Sequence, residues 1–153
     1  MPCKIERGWI QFFHIAGNER RFSVAVNKKR VLVVDDDPEL LQLVRVLLSR
    51  IGVEAVCVEN ANDAAQFLLN EALPDLLILD MMLPDISGVE FLRQMRSKSN
   101  FDAMPVLILS ALIDPERIRA ALDAGADRYL TKPYIANNLL TVVQDILRTG
   151  RRR

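Results

Sequence analysis

The 153-residue chain is half apolar, enough for one domain with a proper core and too short for two. It has no uncharged stretch near the roughly 18–20 apolar residues of a membrane span and no basic-then-apolar leader, and Cys3, Cys57 and His14 cannot supply a disulfide framework or a zinc cluster, so the composition predicts a soluble, cytoplasmic protein without redox chemistry. Residues 1–30 carry seven basic side chains against two acidic ones and residues 148–153 four arginines, leaving a body of net charge −9 within a chain of net charge zero: no nucleic-acid-binding domain, with basic ends that read as solvated tails.

In chain order, residues 1–28 form an N-terminal extension whose apolar runs at 9–16 and 21–26, around Gly17 and Asn18, predict a hairpin or a short lid carrying Trp9, Phe12 and Phe13. From residue 29 short apolar runs alternate with helix-period segments. Strands are predicted at 30–35, 53–58, 75–80, 105–110 and 127–131, most of them rich in Val, Ile and Leu without polar alternation, as strands covered on both faces should be. Helices are predicted near 38–51, 61–72, 87–98, 115–124 and 135–148. In the first, Leu40, Leu41, Val44, Leu47, Leu48 and Ile51 make one apolar stripe. Asp37 can cap it, with Pro38 in its first turn and Gly52 past its end, and Asp114, Pro115 and Gly125 repeat that arrangement. The domain should therefore fill 29–149, with a basic tail at 150–153. Five successive βα units imply right-handed crossovers and an open, doubly wound α/β sheet, whose ligand crevice lies at the carboxyl ends of the strands.

Those ends carry the chemistry. Asp35, Asp36 and Asp37 follow the first strand, Asp80 ends the third, Ser110 ends the fourth, and Thr131, Lys132 and Pro133 end the fifth. Crowded carboxylates are costly to ionise, and a hard divalent cation relieves that cost. Mg²⁺ suits the position because it takes oxygen ligands, keeps several waters, and is often held by one or two carboxylates together with a phosphoryl group. An ammonium and a hydroxyl beside such a cluster suit a site that receives a phosphoryl group on one carboxylate. Each residue alone has a plainer reading, since an acidic run ahead of a helix is also a cap and a strand-terminal Ser or Lys is an ordinary loop residue. Their meeting at four strand ends favours function.

The same segments, VLVVDDDPEL at 31–40, DLLILDMMLPDISGVEFL at 75–92, PVLILSA at 105–111 and GADRYLTKP at 125–133, give residues 29–149 a resemblance to the receiver domain of two-component response regulators. The resemblance implies a (βα)5 flavodoxin-like three-layer sandwich with parallel strand order 2-1-3-4-5. It makes Asp80 the acceptor of a phosphoryl group from a histidine kinase or histidine phosphotransfer protein. Asp36 would bind Mg²⁺ directly and Asp35 chiefly through water, with Asp80 and the backbone carbonyl of Met82 completing the set. Ser110 and Lys132 would contact the phosphoryl oxygens, and Tyr129 would be the aromatic whose rotamer follows Ser110. A cis bond from Lys132 to Pro133 and a downstream protein partner on the 115–148 surface are also implied. Such a chain is no enzyme beyond catalysing its own phosphotransfer and dephosphorylation.

Three departures from the family pattern carry expectations. Receivers that dimerise in the winged-helix transcription factor class commonly show two acids before the tyrosine of the fifth strand and an arginine in the fifth helix. Here Asp127 is followed by Arg128, and Val142 replaces the arginine, so phosphorylation should not produce that dimer. Met82 and Leu112, each two residues past a site residue, are apolar where polar groups could position a water, which predicts slow self-dephosphorylation. The fifth helix has an apolar band wider than one core stripe. After Arg148 little chain remains, so the expectation is a regulator acting through protein partners or a piece of a longer one. Competing readings are a phosphorylation-independent interaction module and a haloacid-dehalogenase-like phosphatase. The latter rests on Asp35 and Asp37 as D-x-D, but Glu39 stands where Thr or Val is wanted. A flavin binder is disfavoured because three aspartates would repel its phosphate.

Overall fold

The computed structural model describes residues 28–132 and 135–151, apart from the side chains of 135–137. The hairpin or lid predicted at 9–26 and the cis bond from Lys132 to Pro133 lie outside the described residues. Strands β1 (Arg30–Val34), β2 (Glu54–Val58), β3 (Leu76–Leu79), β4 (Val106–Ser110) and β5 (Arg128–Thr131) alternate with helices α1 (Pro38–Arg50), α2 (Ala61–Asn70), α3 (Gly88–Arg96), α4 (Pro115–Asp123) and α5 (Ile135–Thr149). A 3-10 turn at Ser99–Phe101 precedes β4. All strand pairs are parallel, in the order β2-β1-β3-β4-β5, the expected doubly wound α/β sheet.

Alternation along each strand builds the three layers. Leu32, Val34, Leu77, Leu79, Val106 and Ile108 pack against Phe67 and Leu68 of α2, Leu92 and Met95 of α3 and Ala121 of α4. Their neighbours Val31, Val33, Leu76, Ile78, Leu107 and Leu109 pack against Val44 and Leu48 of α1 and Leu139, Val143 and Ile146 of α5. The central strands therefore have two dry faces, which is why their sequences are unbroken apolar runs. Each fully buried Leu or Ile here is worth roughly 1.5–3 kcal/mol against exposure.

The helix ends follow local chemistry. The Asp37 carboxylate accepts the amides of Glu39 and Leu40 at 3.0 and 3.4 Å, and Asp114 accepts that of Glu116 at 3.0 Å. Gly52 and Gly125 follow α1 and α4 with positive φ. Two helices fall short of their predicted bounds by more than one residue. Helix α2 stops at Asn70 because Glu71 is already extended and Leu73 precedes a proline, which disfavours helical backbone. Helix α3 starts at Gly88 because Ser87 is its cap, accepting the Glu90 amide at 3.2 Å.

One structural feature escaped the sequence pattern. At the amino ends of β4 and β5, Asp127 accepts from Arg96 at 3.3 Å, from Arg151 at 3.2 Å and from the Val106 amide at 2.9 Å. Arg96 also donates to the Phe101 carbonyl at 2.7 Å and Arg151 to that of Asp102 at 2.8 Å. Burial, with repulsion from Arg151, lowers the Arg96 pKa below the usual guanidinium value. Arg151 is thus no solvated tail residue: it ties the chain beyond α5 to the body because a buried carboxylate there has acceptor capacity left.

Candidate functional site

Two carboxylates are fixed by continuation of the main-chain ladder past the strand ends. The Asp35 amide donates to the Val58 carbonyl at 3.1 Å and the Asp80 amide to the Val34 carbonyl at 3.0 Å, so each side chain leaves the sheet from a held backbone. Both are buried, at 2% and 3% exposure, whereas Asp36 is exposed. Carboxylate oxygens of Asp35, Asp36 and Asp80 lie within 4.8 Å of one another. Lys132, just past β5, puts its ammonium 3.0 Å from Asp35 Oδ2 and 3.2 Å from Asp80 Oδ2. The ends of β1, β3 and β5 therefore meet at one point. Ser110 belongs to the same edge, paired in register with Thr131, and its hydroxyl accepts the Leu112 amide at 3.3 Å.

The run 35–37 divides its labour. Asp37 serves α1 as its cap, and its own amide donates to Asp35 Oδ1 at 2.9 Å, leaving Asp35 and Asp36 to the crevice. This also counts against the D-x-D phosphatase reading, because the second aspartate is spent on backbone amides. Asp35 Oδ2 is buried, with the Lys132 ammonium 3.0 Å away as its charged neighbour. Desolvation, together with repulsion from Asp80, raises the Asp35 pKa despite the Asp37 amide and Lys132. Burial opposes the charge on Lys132, but its contacts with Asp35 and the field of Asp80 outweigh that and raise its pKa. One ammonium faces two buried carboxylates and a third nearby, so the donor set suits a further hard cation with oxygen preference. The fit to Mg²⁺ is good.

Around this centre, the Met82 amide donates to Asp80 Oδ1 at 3.3 Å while the residue as a whole is 61% exposed. The half-buried Tyr129 donates its hydroxyl to the Leu112 carbonyl, and desolvation raises its pKa. Two residues of the site region were not singled out from sequence. Gly88 lets the start of α3 press on the end of β3, its amide donating to the Met81 carbonyl at 2.8 Å. Asp85, at the tip of the β3–α3 loop, accepts the amides of Ala61 and Asn62 at 3.0 and 2.8 Å. The proline and small residues of 84–88 marked a loop but gave no sign of that distant contact.

A doubly wound α/β protein with a buried acid pair bridged by a lysine at its carboxyl edge is the class that fold and site define. Residues 31–144 match the family model of the response regulator receiver domain, and the chain belongs to that family. Among curated relatives it is 35% identical over 120 residues to the phosphate regulon transcriptional regulatory protein PhoB of Escherichia coli K12, covering 78% of this chain and 52% of that one. It is 38% identical to the response regulator MprA of Mycobacterium sp. strain KMS, covering 78% and 50%. The chain thus spans about half the length of the curated relatives it matches. Among solved structures it is similar to the chemotaxis response regulator CheY4 of Vibrio cholerae, with 28% identity, a TM-score of 0.73, and 78% and 99% of the two chains covered. Among the described residues, no helix is long and apolar enough to cross a membrane.

Proposed function

We propose that the chain is a phosphorelay receiver in which Asp80 accepts a phosphoryl group from a histidine kinase or histidine phosphotransfer protein. The observation that carries this reading is Lys132 lying 3.0 and 3.2 Å from two buried aspartates on different strands, a convergence of buried charge that packing alone does not call for. In the proposed reaction an Asp80 carboxylate oxygen attacks phosphohistidine in line, an O–P bond forms as the N–P bond breaks, and the imidazole keeps the leaving electron pair. Lys132 holds a proton against the transferred oxygens, and the Ser110 hydroxyl donates to one of them. Asp35, Asp36, Asp80 and the Met82 carbonyl would hold Mg²⁺, which when bound supplies positive charge against the phosphoryl oxygens.

The acquired charge would draw Ser110 inward and release the Tyr129 contact with the Leu112 carbonyl, biasing the face made by α4, β5 and α5 on which a downstream protein partner reads the state. The chain would be cytoplasmic, as its kinase chemistry requires, and would catalyse nothing beyond its own modification. Incubation with acetyl phosphate should add one phosphoryl mass to the intact protein only with Mg²⁺, and none to Asp80→Asn. Absence of the adduct on folded wild type would refute the proposal and favour a phosphorylation-independent module. The apolar Met82 and Leu112 leave no polar side chain at those two positions to orient an attacking water. Replacing them together, Met82→Asn with Leu112→Glu, should shorten the acyl phosphate lifetime roughly tenfold, less than the roughly 100-fold low end of a full general-base contribution because the new side chains only orient the water, followed by decay of the adduct mass.

A further inference from the structure

Helix α2 begins with three amides that have no partner within the helix, and their satisfaction is divided between two sources. Asn60 accepts the Asp63 amide at 2.7 Å from its own turn. The other two, Ala61 and Asn62, donate to the two carboxylate oxygens of Asp85 at 3.0 and 2.8 Å, from more than twenty residues further along the chain. A bidentate grip on consecutive amides fixes both the position and the rotation of the carboxylate, and Asp85 Oδ1 also takes the Ile86 amide at 3.1 Å.

What Asp85 holds is the loop between β3 and α3, and the Asp80 site depends on that loop. One end is pinned by Gly88 against Asp80 and Met81, and an isolated antiparallel bridge joins Met82 to Ser87. Between these points the chain at 83–87 is only partly covered or exposed. Leu83 and Ile86 rest on the edge of the core on either side of the exposed Asp85, and the Asp85 grip adds a directional polar tie from the tip to the start of α2. Across the loop from that grip, the Met82 amide donates to Asp80 Oδ1 at 3.3 Å.

We propose that Asp85 is a positioning residue for the Asp80 site, clamping the 81–87 loop to the start of α2 so that the Met82 backbone is held against the acceptor carboxylate and the divalent-ion position beside it. This deepens the receiver reading and rests on it. Asp85 touches neither the reacting carboxylate nor the site cation. It acts through Met82. Partial desolvation pushes its pKa up, but the Ala61 and Asn62 amides outweigh this and hold it below the ordinary carboxylate value, so the grip is ionised at neutral pH.

The test compares wild type with Asp85→Ala, Asp85→Asn and Asn60→Ala. Asn60→Ala removes a cap from the same helix without touching the loop, so it reports the cost of α2 fraying alone. Calorimetric titration with Mg²⁺ should show affinity falling roughly tenfold in Asp85→Ala, the scale of losing a partner that orients a metal ligand. Asn60→Ala should bind as wild type does, and Asp85→Asn should recover part of the loss because its amide oxygen still accepts. Hydrogen exchange at the Met82 amide should quicken in Asp85→Ala alone. Equal Mg²⁺ affinity and equal Met82 exchange in Asp85→Ala and Asn60→Ala would overturn the proposal, since Asp85 would then be only a helix cap. Failure of the receiver reading itself would look different: wild type would bind Mg²⁺ yet take no phosphoryl group from acetyl phosphate, removing the function the clamp is proposed to serve.

Discussion

Burial sets a cost against charging Asp35. Desolvation leads the causes that raise its pKa, and Asp80 adds to them. An acid whose folded pKa lies above its unfolded value holds its proton more tightly in the folded state. Between the two values the folded chain carries more protons, stability falls as pH rises, and above the folded pKa the penalty persists in full. Lys132 works the other way: its raised pKa is a stabilising contribution, present below the ordinary lysine value and lost as pH climbs through the folded one. At neutral pH, with a chelator present, Asp35→Asn should therefore raise the thermal midpoint, because relief from desolvation and from repulsion by Asp80 outweighs the lost contact with Lys132. The gain should shrink as pH is lowered through the folded pKa of Asp35. Added Mg²⁺ should then raise the midpoint of wild type and leave the variant nearly unmoved. A variant less stable than wild type in chelator at pH 7 would show that Asp35 is held for structure. The prediction separates the cost of the site from its use, since functional sites commonly trade stability for charge placed where reaction needs it.

At the scale of elements, the site depends on how closely α3 approaches β3. A Cβ on Gly88 would lie 2.2 Å from the Asp80 carbonyl oxygen and 2.8 Å from Met81 Cα, both backbone atoms that cannot swing aside. Gly88→Ala should therefore cost about 3 kcal/mol or more in urea unfolding, the upper range of an overpacked site, and should slow phosphoryl uptake by the folded fraction because the strain falls on Asp80 itself. Gly52→Ala is the control: its positive φ makes alanine unfavourable by about 1–2 kcal/mol, yet nothing lies within 4 Å, and uptake should not change. Most of this architecture was legible in the chain. Strands covered on both faces write themselves as apolar runs, and the caps Asp37 and Asp114 act on amides two or three residues away, so short-range pattern suffices. The converging residues Asp35, Asp80, Ser110 and Lys132 were legible because each ends a strand and parallel strands end on one side. Asp85 was not, since its partners lie 23 and 24 residues upstream and nothing local distinguishes a reaching carboxylate from a loop aspartate. Nor could sequence divide the run 35–37 into a cap and two crevice acids, because all three satisfy either role.

For the whole molecule, the network at the amino ends of β4 and β5 decides what the face of α4, β5 and α5 can offer another copy. Asp127, one half of the acid pair expected in dimerising relatives, is turned inward between Arg96 and Arg151. Arg128, in place of the second acid, donates to Asp145 of α5 at 2.6 Å, and Asp145 also takes Arg148 at 2.9 Å. The hydrogen bond from Arg128 leads the causes that hold Asp145 below the ordinary carboxylate value, so this pairing is complete at neutral pH. Charges that would have to cross a two-fold axis are already satisfied within one chain, and Val142 offers no cation in return. Sedimentation velocity of the acetyl-phosphate-treated protein in Mg²⁺ should therefore show the same species as the untreated one. Asp127→Arg is the wrong probe of this idea, because a third cation between Arg96 and Arg151 should cost about 3–5 kcal/mol and unfold much of the sample. Arg128→Asp with Val142→Arg is the informative change: it restores an exposed acid on β5 and a cation on α5 while sparing Asp127. A phosphorylation-dependent dimer should appear in that double variant and not in wild type. A stable phospho-dimer of wild type, dissociated by Arg128→Ala, would instead mean that the intrachain pair opens and that Arg128 itself bridges the copies.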